Sequence, residues 1–308
     1  MGPLTLPAAL TGRSGRDERW DRWLDGLPRL ASGLVEEWGL TVTGEPLSGA
    51  ASLVLPVSGE AGDAMLKLAF PDEDGAGEIA ALQLWGGRGA ARLVRADPRR
   101  DALLLERLGD ELSTVDVVEA CAVVAGLYGA LHRPAAPQLR PVATLVGRWL
   151  DDLEALGRGL PAPPRFVEQA LHAGRALLAD PGPGVVLHGD LHYANVLRRG
   201  DEWAAIDPKG FNGDPCYELA PLLWNRWEEL FWYGDAGNAI RERFYALVDG
   251  AGLDERRCRD WVVVRSMIGI SWEVLAARRA GRLLDEDQRA WITRCVTTAK
   301  AMQAVGAG

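Results

Sequence analysis

The feature that most constrains this chain is a polar segment between residues 188 and 207, bordered by branched apolar residues. Residues 188–195 read H-G-D-L-H-Y-A-N, and a turn at Gly200-Asp201 precedes A-I-D at residues 205–207. The apolar runs around the motif have strand-forming composition, and Gly-Asp between two such runs is typical of a hairpin turn. A fold containing this segment must therefore hold Asp190, Asn195 and Asp207 close to the ends of short strands.

These three side chains present a carboxylate, an amide and a second carboxylate in a fixed order. In phosphoryl transfer, one carboxylate orients and deprotonates the acceptor hydroxyl, while an amide oxygen and another carboxylate hold magnesium on the nucleotide phosphates. Asp190 and Asn195 are five residues apart, which is the spacing in the H-R-D-x-x-x-x-N catalytic loop of protein kinases. The segment therefore indicates phosphoryl-transfer chemistry.

His188 and His192 allow another interpretation, a metal-binding pair at positions i and i+4. That spacing brings two imidazoles to one metal only on a helix, whereas Gly189 and Asn195 are typical of a loop. We therefore interpret His188 as a residue that fixes the loop through hydrogen bonds, and not as a zinc ligand.

The order of the predicted elements indicates an α+β fold with two lobes. Residues 40–108 read as short strands, turns and one helix, and helical patterns dominate from Gly109 onward. We expect a mainly β N-lobe at residues 1–108 and a helical C-lobe at residues 109–308 that carries the catalytic loop. In the strand at residues 64–69, alternation places Lys67 on the side opposite Leu66 and Leu68.

The composition disfavours several other classes of protein. The chain has 308 residues, of which 48% are apolar and 25% are charged, and a net charge of −9. This charge disfavours nucleic acid as the main partner, because a phosphate backbone needs a basic surface. No apolar run approaches the ~18 residues of a membrane span, so we predict neither a membrane segment nor a signal peptide. The four cysteines form no C-x-x-C pair, so we expect free thiols and a cytoplasmic protein.

The motif H-G-D-L-H-x-x-N followed by I-D-P resembles the signature of aminoglycoside phosphotransferases, which share the protein-kinase fold. The resemblance extends from S-G-A-A-S-L-V at residues 48–54, through L-L-L-E-R-L at 103–108, to G-D-P at 213–215. Within that family, the chain is most similar to the branch of streptomycin 6-phosphotransferases and hydroxyurea phosphotransferases. The resemblance implies a two-lobed, protein-kinase-like enzyme that binds a nucleotide between its lobes.

The implied reaction is transfer of the γ-phosphoryl group of ATP or GTP, with Mg²⁺, to a hydroxyl of an aminoglycoside. Streptomycin, phosphorylated at its 6-hydroxyl to give antibiotic resistance, is the first candidate, and hydroxyurea or another small metabolite is the alternative acceptor. A nucleotide-binding module without catalysis is the alternative from another class. A protein kinase fits less well, because the chain between Asp207 and Asp214 is too short for a long activation loop. The resemblance makes Asp190 the catalytic base and Asn195 and Asp207 the magnesium ligands.

The resemblance also implies that Lys67 holds the α- and β-phosphates of the nucleotide. Its expected partner is Glu78, on the helix that follows the lysine strand. Glu73 is an alternative partner, since only the register of that helix decides between the two glutamates.

Two further segments are implied to bind the nucleotide. Ser48, Gly49 and Ala51 resemble the loop that covers the phosphates. Glu106 and Leu108 lie in the stretch that matches the kinase linker, where backbone groups bind adenine. Because backbone groups do this work, the side chains leave the choice between ATP and GTP open.

For the acceptor site, the sequence offers several candidate residues. A negative net charge suits a cationic acceptor such as an aminoglycoside, although acidity also serves solubility alone. Carboxylates and aromatic rings in a partly desolvated cleft would bind such a cation. The C-lobe offers six candidates for this wall, several of which solvated faces or core packing explain equally well: Asp151, Glu218, Asn225, Glu228, Trp272 and Glu273. We interpret Asp214, in contrast, as the cap of the next helix.

Overall fold

The computed structural model describes residues 4–12, 18–71, 77–232 and 234–306. The first part of these ranges contains helices α1 (Ala8–Thr11), α2 (Glu18–Glu37) and α3 (Glu78–Trp85), and strands β1 (Thr41–Val42), β2 (Leu47–Ser48), β3 (Ser52–Gly59), β4 (Gly62–Ala69), β5 (Leu93–Asp97) and β6 (Ala102–Glu106). The second part contains helices α4 (Val117–Leu131), α5 (Val142–Leu156), α6 (Pro164–Ala179), α7 (Ala220–Trp224), α8 (Ala236–Ala251), α9 (Glu255–Arg279) and α10 (Glu286–Ala301), and strands β7 (Arg140–Pro141), β8 (Val185–Leu187), β9 (Val196–Arg199), β10 (Glu202–Ala205) and β11 (Phe211–Gly213). Short 3-10 helices connect several of these elements.

The first six strands form one antiparallel sheet in the order β1-β3-β4-β6-β5, and β2 also pairs with β3. Lys67 of β4 lies opposite Val54 of β3 and Leu103 of β6. Leu66 and Leu68 are fully buried in a hydrophobic core on one face of this sheet. Lys67 reaches the other face, where it bonds α3. The predicted orientation of Lys67 is therefore confirmed.

Helix α2 covers the core on the outer face of the sheet, and strand and turn patterns alone do not predict it. Its buried residues Trp20, Leu24, Leu27, Ala31 and Leu34 recur every three or four positions, which is the spacing of one helix face. They belong to the same core as the leucines of β4. The spacing of these apolar residues was thus the sequence signal that could have predicted α2.

A three-stranded sheet, β7-β11-β8, and the hairpin of β9 and β10 carry the polar segment of the C-lobe. The hairpin pairs Ala205 with Val196 and turns at Gly200, as the sequence predicts. After β11, Asp214 accepts a hydrogen bond from the backbone N of Cys216 at 3.0 Å, so it caps the short 3-10 helix Pro215–Leu219. The expected role of Asp214 as a helix cap is therefore confirmed.

The main hydrophobic core joins the helices of the second part to α3 and to one face of β6. It contains Trp85 of α3, Leu103 and Leu105 of β6, and buried residues of α4 through α10. The hydrophobic core is thus continuous across the expected lobe boundary at residue 108. Within the described ranges, no helix is both long enough and apolar enough to cross a membrane.

Candidate active site

The catalytic loop follows β8 and ends in the short 3-10 helix Tyr193–Asn195, directly before β9. The Asn195 side-chain amide donates a hydrogen bond to the backbone O of Asp190 at 3.0 Å. The backbone N of Ile206 donates to the backbone O of Asn195 at 2.9 Å. These two bonds tie the loop to the strand end that carries Asp207. The three polar side chains identified in the sequence are therefore brought together by backbone contacts.

His188 fixes this loop from inside, as the sequence interpretation expected. Its ring is fully buried, its Nε2 bonds the backbone O of Ile206 at 2.8 Å, and its Nδ1 accepts the backbone N–H of Asp190 at 3.3 Å. Burial lowers the pKa of His188 to about 4, so the ring is neutral and carries its proton on Nε2. Both ring nitrogens are engaged, which leaves neither free for zinc. No group of three or more potential metal ligands of the His, Cys, Asp or Glu type occurs in the described ranges.

Glu218 supports the catalytic loop through hydrogen bonds to its backbone. Its carboxylate accepts backbone hydrogen bonds from His188 at 2.6 Å and from Gly189 at 3.1 Å. Burial raises the pKa of Glu218 to about 7, although the two backbone donors and Arg265 oppose the rise. The side chain is 0% exposed. This position differs from the acceptor wall at which we expected Glu218, because a fully buried carboxylate bonded to backbone has no surface to offer an acceptor.

Lys67 forms the centre of a buried ionic cluster on the cleft side of the sheet. Its Nζ lies 2.7 Å from both carboxylate oxygens of Glu78 and 2.5 Å from Oδ1 of Asp207. Burial alone would lower the pKa of Lys67, but the two carboxylates outweigh it and raise that pKa above its ordinary value. The structure thus places Glu78 against Lys67, and Glu73 lies outside the described residues.

The backbone around Asp207 is adapted to this cluster. Asp207 has a φ of 57°, a left-handed conformation that non-glycine residues seldom adopt. Three residues later, Gly210 touches Gly77 at the start of α3: a Cβ on Gly77 would lie only 2.2 Å from the backbone O atoms of Lys209 and Gly210. Only glycine allows this close approach. The contact sets the position of α3, and hence of Glu78, relative to Asp207.

Asn195 and Asp207 offer oxygen ligands that fit magnesium. The amide nitrogen of Asn195 is occupied by the backbone of Asp190, which leaves the amide oxygen as the atom for a metal. The pKa of Asp207 is lowered below its usual value, because Lys67 and Lys209 outweigh the effect of burial, so the carboxylate is ionised. An amide oxygen and an ionised carboxylate are the hard donors that Mg²⁺ uses together with substrate phosphates.

The two expected nucleotide-binding segments lie near opposite ends of β4, since Ser52 pairs with Ala69 and Glu106 pairs with Ala64. Ser48 and Gly49 are exposed at the turn between β2 and β3, where the backbone N of Gly49 donates to the O of Ser52 at 2.9 Å. Ala51 lies at the other end of that turn. The side chain of Glu106 accepts from the backbone N of Arg92 at 2.6 Å and pairs with Arg199.

Leu108 follows Glu106 by two residues and is partly buried. The Glu106 carboxylate is therefore committed to the protein itself. Binding of adenine by backbone groups of this stretch stays a prediction.

A cavity of about 660 Å³ opens beside Asp190 between α5, α9 and the catalytic loop. We call it the α5–α9 chamber. Trp272, one of the six expected acceptor residues, lies in its wall. The Trp272 ring meets that of Trp149 edge-on, with the ring centroids 4.9 Å apart. The chamber therefore has an aromatic wall next to the catalytic loop.

The other expected acceptor residues do not line this chamber. Asp151 lies on the exposed side of α5, paired with an arginine of α6 at 2.7 Å, and the Glu228 side chain is 82% exposed. The Glu273 carboxylate accepts a hydrogen bond from a glutamine of α10 at 2.7 Å. The Asn225 amide donates to the backbone of the preceding helix, α7, at 2.8 Å. Sequence spacing does not reveal which side of a helix faces the catalytic loop: Asp151 and Glu273 lie on other sides of α5 and α9, and Asn225 and Glu228 lie outside both helices.

Sequence reasoning missed most of the residues that do line the chamber. Helix α5 contributes Leu145, Arg148, Trp149 and Asp152, whose spacing of three, four and seven residues places them on one helix face. Arg265 and Arg279 of α9 and Lys209 of the Asp207 loop complete the charged lining. An arginine on a helix is usually interpreted as a solvent-exposed residue. The position of Arg148 on the same helix face as Trp149 was the sequence signal that could have placed it in the chamber.

Comparisons with known proteins agree with this geometry. The family model for aminoglycoside/hydroxyurea antibiotic resistance kinases matches residues 37–275. A streptomycin 6-kinase of Streptomyces glaucescens is 37% identical over 277 residues, which cover 87% of this chain and 90% of that protein. A hydroxyurea phosphotransferase of Kitasatospora aureofaciens is 40% identical over 273 residues, which cover 85% of this chain and 76% of that protein.

Solved structures show the same fold at lower identity. A thermostable mutant of the aminoglycoside phosphotransferase APH(4)-Ia, in a ternary complex with ADP and hygromycin B, is 17% identical to this chain. The two chains align with a TM-score of 0.58 over 90% of this chain and 98% of that one. The expected two-lobed, protein-kinase-like α+β fold is therefore confirmed. Because the family model spans most of the chain and two relatives exceed 30% identity over most of its length, the chain belongs to the aminoglycoside/hydroxyurea antibiotic resistance kinase family.

Proposed function

We propose that this protein transfers the γ-phosphoryl group of a nucleoside triphosphate, ATP in the first instance, to a hydroxyl of an aminoglycoside antibiotic. Streptomycin, at its 6-hydroxyl, is the first acceptor to test, and the product would be an inactivated antibiotic. The observation that carries the proposal is the position of Asp190. It lines a chamber of about 660 Å³, while backbone bonds tie its loop to the strand end beside Asp207 and Lys67.

The proposed roles follow from these positions. Asp190 accepts the proton of the acceptor hydroxyl and orients its oxygen toward the phosphorus atom. Asn195 and Asp207 would hold Mg²⁺, which would neutralise charge on the phosphate oxygens. Lys67 exchanges part of its contact with Asp207 for the α- and β-phosphates, and Glu78 keeps the ammonium in place. Each role thus belongs to a side chain already held in the cleft.

The size of the chamber favours an antibiotic over hydroxyurea. Pockets for drug-sized ligands typically occupy about 300–1,000 Å³, and this chamber lies in the middle of that range. Hydroxyurea would fill only a small part of it. Hydroxyurea nevertheless stays the second candidate, because the relative that bears its name is 40% identical to this chain.

A cytoplasmic location accords with the proposed reaction. The co-substrate is a nucleoside triphosphate, and all four cysteines are free and buried, as expected in a reducing compartment. A cationic antibiotic that has entered the cell would be modified there. The location is part of the proposal and depends on the same activity.

A coupled assay of ADP release tests the proposal with streptomycin, hygromycin B, hydroxyurea and no acceptor. We expect acceptor-dependent ADP release with streptomycin. Tight ATP binding without release for any acceptor would instead identify a catalytically silent nucleotide-binding module.

The variant Asp190→Ala should lower kcat by about 10² to 10⁴-fold while leaving ATP affinity nearly intact, as expected for loss of a positioned base. Asp201→Ala is the matched control, because Asp201 is an exposed residue of the nearby hairpin turn. Turnover of Asp190→Ala at the wild-type rate would refute the assignment of the base.

A further inference from the structure

The α5–α9 chamber is basic although the protein as a whole is acidic. Four cations line it, namely Arg148, Lys209, Arg265 and Arg279, against two carboxylates, Asp152 and Asp190. The side chains that line the chamber therefore carry a formal charge of +2, whereas the whole chain carries a net charge of −9. A wall for cationic acceptors would have the opposite sign.

Two of these cations are engaged by the site itself. The guanidinium of Arg265 donates to the backbone O of Tyr217 at 2.9 Å and of Gly189 at 3.4 Å, and it stacks over the Tyr217 ring at 4.1 Å. Lys209 lies 3.9 Å from the carboxylate of Asp207, the proposed magnesium ligand. Arg265 and Lys209 therefore have partners within the catalytic machinery.

Arg148 and Arg279 differ from these two. Within the described ranges, neither guanidinium forms a hydrogen bond or an ion pair with a protein group, and both residues are exposed to the chamber. Both are rich in donors and carry a permanent charge. Their charges are therefore available to whatever enters the chamber.

Position along the helices separates these two arginines from the phosphates. Arg265, near the middle of α9, lies beside the catalytic loop, because it bonds the backbone of Gly189. Arg279 lies fourteen residues further along α9, about 21 Å at 1.5 Å per residue. The contact of Trp149 with Trp272 places the turn of Arg148 beside the part of α9 between Arg265 and Arg279. Arg148 and Arg279 thus face the part of an acceptor that extends away from its reacting hydroxyl.

We propose that Arg148 and Arg279 set the charge specificity of this chamber. They disfavour acceptors with cationic groups beside the outer part of α5 and α9, and they favour acceptors that place hydroxyl, carbonyl or carboxylate oxygens there. Such an acceptor presents its reacting hydroxyl at Asp190 and lays a ring against Trp149 and Trp272. The inference deepens the proposed kinase function and rests on it. Streptomycin remains the first acceptor to test, and the two arginines raise its KM without preventing its phosphorylation.

The test replaces both guanidiniums in Arg148→Gln/Arg279→Gln. The matched control is Arg158→Gln/Arg278→Gln, which removes the same charge from two exposed neighbours outside the chamber lining. For each protein, kcat and KM are measured with streptomycin, which is cationic, and with hydroxyurea, which is neutral. The measurements are made at about 10 mM and about 150 mM ionic strength, where the Debye lengths are about 30 Å and 8 Å.

Removal of the two charges should lower KM for streptomycin by about 3- to 10-fold at low ionic strength, and by less at the higher one. We expect kcat for streptomycin to stay within about 2-fold, and KM for hydroxyurea and for ATP to stay unchanged. The control variant should behave like the wild type. An unchanged or higher KM for streptomycin in the chamber variant would overturn the inference.

Failure of the proposed function would look different. If the wild type phosphorylates no acceptor, the function fails, and calorimetry then decides the charge inference by itself. Tighter streptomycin binding by the chamber variant than by the control would support the inference, and equal or weaker binding would overturn it. Thermal melts of both variants check that the substituted proteins are folded.

Discussion

The buried carboxylate of Glu218 makes stability and activity depend on pH in a way that one substitution can isolate. Glu218 accepts the backbone N–H groups of His188 and Gly189, and burial raises its pKa to about 7 from 4.5. The folded protein therefore binds a proton on Glu218 more tightly than the unfolded chain does. Stability from this group is fully present below about pH 4.5 and is lost as the pH rises toward 7.

The effect on the free energy of folding follows from the size of the Glu218 pKa shift. One pKa unit corresponds to 1.36 kcal/mol, so a rise from 4.5 to about 7 costs about 3 kcal/mol of folding free energy once Glu218 is ionised. Between pH 5 and pH 8, the change amounts to about 2–3 kcal/mol. For a protein of this size, that difference shifts Tm by about 5 °C.

Glu218→Gln removes the titration while keeping the shape of the side chain. Groups away from Glu218 titrate alike in the two proteins between pH 5 and pH 8, so the difference in Tm between variant and wild type reports mainly on Glu218. We expect that difference, variant minus wild type, to rise by about 5 °C from pH 5 to pH 8 in scanning calorimetry. A difference that stays constant over this range would refute the buried, raised-pKa carboxylate.

The same substitution should impair catalysis. The amide oxygen of glutamine can accept one of the two backbone bonds, while the amide NH₂ faces the other N–H and leaves it without an acceptor. An unsatisfied buried donor costs about 1–3 kcal/mol, so the loop that carries Asp190 shifts, and kcat should fall about 10- to 100-fold at pH 8. Glu168→Gln, at an exposed position of α6, is the charge-matched control for kcat. Wild-type kcat in Glu218→Gln would show that the two backbone bonds do not position the loop.

Three further predictions address the cleft and the lobes. Gly77→Ala should raise KM for ATP about 10-fold, because a methyl group 2.2 Å from two backbone oxygens displaces α3. Gly126→Ala is the control, since a Cβ at that position meets nothing within 4 Å. An unchanged KM in Gly77→Ala would contradict the tight contact. Asp207→Ala should weaken binding of the magnesium nucleotide in calorimetry, and unchanged affinity would exclude Asp207 as the metal ligand. Arg199→Ala removes hydrogen bonds to the backbone O atoms of Gly87 and Ala90. This loss should lower Tm by about 4–8 °C. A decrease in Tm of less than about 1 °C would contradict the prediction.

The features predicted correctly depend on short stretches of chain. Alternation along one strand was enough to orient Lys67 away from Leu66 and Leu68. The five-residue spacing of Asp190 and Asn195 reflects one loop that folds on itself, and the hairpin before Asp207 needs only its own turn. Local backbone geometry governs each of these features, so the residue order carries the information.

The chamber walls depend on contacts between distant segments, and the sequence did not reveal most of the residues that form them. Arg148 and Arg279 are 131 positions apart, and only the packing of α5 against α9 brings them into one cavity. A helix pattern separates an apolar stripe from a polar one, but it does not tell which polar residues face a cleft and which face solvent. Asp151 and Asp152 are adjacent, yet only Asp152 lines the chamber.

The sequence by itself determined the chemistry of this protein: the order of Asp190, Asn195 and Asp207, the strand that carries Lys67, and the family to which the chain belongs. The tertiary structure decided the burial of each polar group, and burial decides what that group does. Glu218 is an ordinary glutamate in the sequence, but packing removes it from water and bonds it to the catalytic loop. Desolvation and cavity charge are properties of assembled surfaces, so they exist only once the helices have packed.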